Sequence, residues 1–148
     1  MSLLTTSTHA IPELRDILAD RLLESTGLAW TVRQYHGTTA AGLLAAMLAT
    51  DLPSAVISWS GEETHGEPGR PQRAYNTFHL MLLAEDAQDD GGADVVQEML
   101  DAVKDLLDNY VSGDTVWRYM GAEAVDLSEA TDAPNITCVD ATIEVGDH

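Results

Sequence analysis

Basic residues are scarce in this chain of 148 residues: seven Lys and Arg stand against 25 Asp and Glu, a formal net charge of −18. A field of that sign repels phosphate backbones and anionic membrane surfaces, so neither tight nucleic-acid binding nor membrane attachment is expected. The single cysteine, Cys138, has no partner for an intramolecular disulfide, which fits a reducing compartment. No apolar run approaches the ~18 residues that a membrane-spanning helix needs. The opening Met1-Ser2-Leu3-Leu4-Thr5-Thr6 lacks the basic residues that begin a secretory signal, so none is expected. Neither a G-x-G-x-x-G nor a P-loop sequence occurs, and no phosphate cradle is encoded.

What is present is a globular composition, 45% hydrophobic with a mean hydropathy of −0.09. Residues 1–148 are read as one domain, long enough to bury roughly two-thirds of its unfolded surface without metals or disulfides. The first helix opens at Ile11-Pro12-Glu13-Leu14, with proline in the first turn, acids near the positive end of the dipole, and Gly27 as the stop. Residues 29–35 are rich in Trp, Val and Tyr and predict a strand; residues 40–50, rich in Ala, Leu and Met, predict a short helix that Pro53 bars from continuing. A hydrophobic strand over 54–59 is followed by a polar loop over 61–72 and a longer strand over 73–84. In that strand Phe78, Leu80 and Leu82 share one face, and Tyr75, Thr77 and His79 share the other.

The clearest periodicity lies in residues 93–110. Val96, Met99, Leu100, Val103, Leu107 and Tyr110 form an apolar stripe opposite Asp94, Glu98, Asp101, Asp105 and Asp108. A strand over 115–120, a polar loop over 121–133, and a final strand alternating Thr137, Val139, Ala141, Ile143 and Val145 complete the chain. The order α-β-α-β-β-α-β-β predicts an α+β fold, a mostly antiparallel sheet with helices packed on one face.

No constellation for chemistry emerges. His9, His36, His65, His79 and His148 show no i,i+4 pairing and no zinc spacing to Cys138, so each reads as solvated or locally hydrogen-bonded. Asp86, Gln88, Asp90 and Gly91 fall on positions one, three, five and six of an EF-hand loop. Its twelfth position, which needs a bidentate carboxylate, is Gln97, with Glu98 one residue late; an acidic turn before the helix is the simpler reading. Ser60-Gly61 lacks the nucleophile elbow, and Cys138 has no histidine at a telling position. No enzyme activity, metal or cofactor is expected.

Charge pattern remains. Arg70 and Arg73 flank Pro71-Gln72 at the end of a loop that also holds Glu62 and Glu63, while the outer face of the 93–110 helix is nearly all acid with Lys104 its one base. The acidic face reads either as plain solvated surface or as half of a head-to-tail contact, in which a basic loop on one copy meets the Asp94, Glu98, Asp101 and Asp105 face of the next, the kind that closes into rings.

A leading amphipathic helix, a Leu52-Pro53-x-x-Val56-Ile57-x-Trp59 strand, a Gly/Glu loop, and a strand from Arg73 into Ala84-Glu85-Asp86 follow one another. A Gly91-Gly92 pair, a helix containing Leu100-Asp101-Ala102-Val103-Lys104-Asp105-Leu106-Leu107 and two closing strands complete the order. This layout resembles the tail-terminator or tail-completion proteins of long-tailed bacteriophages and prophages (the gpU-like and Mu-type minor tail proteins). The resemblance spans residues 11–145 and implies a small α+β subunit, without active site or cofactor. Copies would form a hexameric ring on the tail tube in the virion, touching the tube protein and the head-side connector after assembly in the bacterial cytoplasm. The 61–73 loop would then make subunit or tube contacts. The 40–50 helix and the 121–133 loop lie outside the pattern, which leaves a head–tail joining neck protein open.

Two readings of other classes stand beside it. One is a small ligand-binding or enzymatic domain with a pocket lined by Trp30, Trp59 and Trp117; the other is an acidic nucleic-acid mimic or inhibitor.

Overall fold

The computed structural model describes residues 4–5, 10–25, 27–65, 69, 72–85, 92–127 and 135–147. The elements are β1 (Leu4–Thr5), α1 (Ile11–Leu23), β2 (Thr31–Gln34), α2 (Ala40–Leu48), β3 (Ser54–His65), β4 (Gln72–Glu85), α3 (Gly92–Leu107), β5 (Tyr110–Ser112), β6 (Thr115–Val125) and β7 (Ile136–Asp147). The strands form one sheet in the order β2-β3-β4-β7-β6-β5, with β1 pairing separately onto β4. The β2–β3 and β1–β4 pairs are parallel and the other four antiparallel, so the expected α+β layout holds.

Alternation along the strands splits the sheet into two unequal faces. Ala55 and Ile57 of β3, Phe78, Leu80 and Leu82 of β4, Ala141, Ile143 and Val145 of β7 and Trp117 of β6 point to one side. There they meet Leu14, Leu18 and Leu22 of α1 and Val96, Met99, Val103 and Leu107 of α3. Those spacings of three and four residues are what place the α1 and α3 side chains on one stripe each. The opposite side has a smaller cluster, in which Met47 of α2 covers Val56, Met81, Leu83 and Cys138 beside Leu127. The sheet thus has two helices on one face, and the expectation that all helices share it is corrected by the short α2, whose Met47 covers apolar side chains of the opposite alternation on a corner of the other.

Two expected loops are shorter than their composition implies. The 61–72 segment continues as strand, with β3 running to His65 and β4 beginning at Gln72. The 121–133 segment likewise begins as strand, since β6 runs to Val125. In both places the expected loop starts at a glycine that follows a bulge, with Ser60 inserted between Trp59 and Gly61 and Met120 between Tyr119 and Gly121. Gly61 at φ 148° and Gly121 at φ 126° adopt backbone that L side chains rarely take, and the strand resumes past each. The residues there, Glu62 and Glu63 or Ala122, Glu123 and Ala124, are exposed strand positions. Trp59, Phe78, Ile143 and Tyr119 are successive cross-strand partners, so one row of four side chains is flanked by a bulge in each outer strand.

The 93–110 helix ends at Leu107, and Asn109 at φ 61° turns the chain so that Tyr110 starts β5. The first helix ends at Leu23, before Gly27. The short β1 and β5 have too few residues to show a periodicity. The acidic turn weighed against an EF-hand loop, residues 86–91, lies outside the described residues, as do His9 and His148.

Candidate interaction surface

Four of the five basic side chains described make contacts within the chain. Arg15 is buried and donates from Nη1 to the Tyr35 carbonyl at 3.3 Å. Arg21 donates from Nε to the Leu106 carbonyl at 2.8 Å, pairs with Glu24 at 2.6 Å and lies 4.1 Å over the Tyr110 ring. Arg33 donates to the Ala46 carbonyl and the Thr50 hydroxyl at 3.3 and 3.2 Å, so it ties β2 to the end of α2. Lys104 places Nζ 5.5 Å from the Tyr119 ring centroid, turned toward β6. Arg118, exposed on β6, is the other basic residue with a described side chain.

Asp94, Glu98, Asp101 and Asp105 are all exposed on α3, as its apolar stripe requires, with Gln97 donating to Asp101 at 2.9 Å. Glu62 and Glu63 are exposed on β3, and the backbone of Arg73 pairs with His65 two rungs further along the same hairpin. Arg70 lies outside the described residues, and the Arg73 side chain is not described. The hairpin residues and the α3 acids thus sit on separate elements. The tryptophan pocket does not form. Trp30 and Trp117 are core side chains, donating to the Leu22 carbonyl at 3.2 Å and to the Thr115 hydroxyl at 3.1 Å. Trp59 donates to Asn76 at 3.1 Å and alone borders a cavity of about 310 Å³ against Tyr35, Thr39 and Leu43.

A second surface escapes the sequence. On the sheet face turned away from α1 and α3, the His79 Nδ1–H donates to Asp140 Oδ1 at 2.7 Å across the β4–β7 pair. Each residue shows as a polar position in an alternating strand, but 61 residues separate them, and only the register of two distant strands reveals the contact. Around them, Met120, Gly121, Ala122, Glu123 and Thr142 complete a cavity of about 320 Å³. Among the described residues no group of three His, Cys, Asp or Glu side chains has metal-binding geometry. Cys138, buried on the same face, has its thiol pushed up to about 12, first by burial and then by the Asp140 charge, and is inert as a nucleophile.

The hydrogen bond to Asp140 raises the His79 pKa above its ordinary 6.5; partial burial opposes this, and the Asp140 charge adds to it. A raised folded-state value means that the imidazolium stabilises the fold below the unfolded pKa and that this contribution is lost as pH rises through the folded value. The His79 ring should therefore titrate by NMR with a midpoint above 6.5, and Asp140→Asn should bring that midpoint down. The stability gap between the two proteins should be wider at about pH 5.5 than at about pH 8. A midpoint unmoved by the substitution would contradict the pairing.

No protein-family model matches this chain, and no curated protein matches it. Among solved structures, a chain in the "Virion of native gene transfer agent (GTA) particle" has a similar fold. The TM-score is 0.55 at 14% identity, over 90% of this chain and 93% of the other.

Proposed function

We propose that this chain is a structural protein of a phage-like virion. In it, copies close head-to-tail into a ring on the end of a tail tube and present a surface to the head-side connector. The observation that carries this reading is the shared fold with a chain of a gene transfer agent virion, matched over nearly the full length of both. The layout described from the sequence points the same way. Two patches on separate elements, the hairpin with Glu62, Glu63 and Arg73 and the acidic side of α3, give a heterologous contact two different surfaces to join. In such a ring the α3 acids would border the channel, where a negative wall lets DNA pass without sticking. The chain would carry out no reaction of its own and hold no cofactor.

Purified protein mixed with tail tubes and viewed by electron microscopy tests the reading. Ring-shaped caps on tube ends are expected, and bare ends despite excess protein would overturn it. Protein found on the head-side connector alone would make it a neck component. Arg70→Glu with Arg73→Glu should abolish capping and leave the thermal midpoint nearly unchanged, as expected where charges serve assembly and not the fold. Capping that survives both changes would remove the hairpin from the interface.

A further inference from the structure

β5 covers only the Thr115–Trp117 end of β6, so among the described residues no strand pairs with the outer edge over 118–125. Such an edge presents a row of free backbone donors and acceptors, a template for another extended chain. The bulge shapes the space beside it. Met120 is the extra residue and stands 54% exposed, and a Cβ at Gly121 would meet no atom within 4 Å. Through that gap the edge opens onto the cavity of about 320 Å³ lined by His79, Glu123, Asp140 and Thr142. Glu123 and Asp140 are direct cross-strand partners, both on the face away from α1 and α3. The spacing of strands places a chain added beyond β6 about 5 Å from Glu123 and about 10 Å from Asp140. A lysine or arginine on that chain spans much of this gap, its methylenes against Met120 and its charged end between the two carboxylates.

The occupant is set by charge. Glu123 and Asp140 call for a cation, and the outer strands of this chain's own sheet have none free to give: β5 has no base, and Arg33 of β2 is already bonded to Ala46 and Thr50. We infer that the outer edge of β6 and the adjoining cavity form a docking site for an extended basic segment of a different protein. That segment adds as a strand along residues 118–125 and seats one Lys or Arg side chain against Glu123 and Asp140. The inference goes beyond the ring reading and does not depend on it; a chain that fails to cap tubes would still bind such a segment.

The test is an NMR titration of the isotope-labelled full chain with a synthetic eight-residue peptide alternating Thr and Lys. The same peptide with Glu for Lys serves as control. The lysine peptide should shift the backbone amides of residues 118–125 and the His79 ring, and the glutamate peptide should shift neither. Glu123→Gln, an exposed position that leaves the fold intact, should weaken binding about tenfold, as expected for one charge-assisted hydrogen bond. Asp20→Asn, which removes the same charge from the exposed side of α1, should leave affinity unchanged. Several outcomes overturn the proposal: no binding, equal binding of both peptides, shifts confined to α3, or equal losses in the two variants.

Discussion

Met99→Asp is expected to leave a chain with no cooperative thermal transition. Met99 is fully buried at the centre of the α3 stripe, between Val96 and Val103 and over the β4 and β7 side chains. An aspartate there would lose the methionine's packing, about 2–5 kcal/mol for large-to-small core changes. It would also bring a carboxylate into a cluster built of Leu, Ile, Phe and Trp with no cation in it, a cost of several kcal/mol for an uncompensated ion. Together these rival the ~5–15 kcal/mol that holds a typical domain folded. Circular dichroism melts check the expectation. Asp105→Ala, on the exposed side of the same helix, should keep the native transition within a few degrees. A native melt for Met99→Asp would mean that α3 does not pack as described.

Trp117→Ala should lower stability by about 3–5 kcal/mol, the range for aromatic truncation in a core. Trp117 is fully buried, its ring tilted against Phe78 with centroids 6.2 Å apart. Its Nε1–H donates to the Thr115 hydroxyl, which in turn donates to the Ser112 carbonyl at 2.7 Å, so the side chain also braces the β5–β6 turn. Because Thr115 keeps its bond to Ser112 in the variant, the loss should come mainly from the cavity and only slightly from an orphaned polar group. Calorimetry should show the midpoint falling by about 10 °C or more. In urea the midpoint concentration should fall with the m-value unchanged. A drop of a degree or two would show that β6 is not anchored through this residue.

The sequence makes the long periodic elements plain and hides whatever depends on register. The α3 stripe and the Phe78, Leu80, Leu82 alternation are legible because burial on one side imposes a repeat of 3.6 or 2 residues over many positions. The extensions of β3 past Trp59 and of β6 past Met120 are not, because both cross a glycine bulge into exposed, polar strand positions that resemble a loop in composition. The two short strands are too brief for any repeat. Of the interface residues read from charge, the α3 acids are exposed as a stripe must leave them, whereas the His79–Asp140 contact needs the β4–β7 pairing, which no local pattern specifies. The internal use of Arg15, Arg21 and Arg33 is equally hidden, since each binds a backbone carbonyl far along the chain.

The row of Trp59, Phe78, Ile143 and Tyr119 has a mechanical consequence. An inserted residue increases the local twist of its strand, and here Ser60 and Met120 are inserted in the outer two of four adjacent strands, next to the same rung. Twist concentrated at both ends of one rung makes a crease, so the side of the sheet without α1 and α3 is warped. A planar neighbour laid on it would touch along a line and leave gaps at the corners. A neighbour that packs there without gaps needs a surface creased to match, a demand of shape beside the demand of charge made at Glu123 and Asp140.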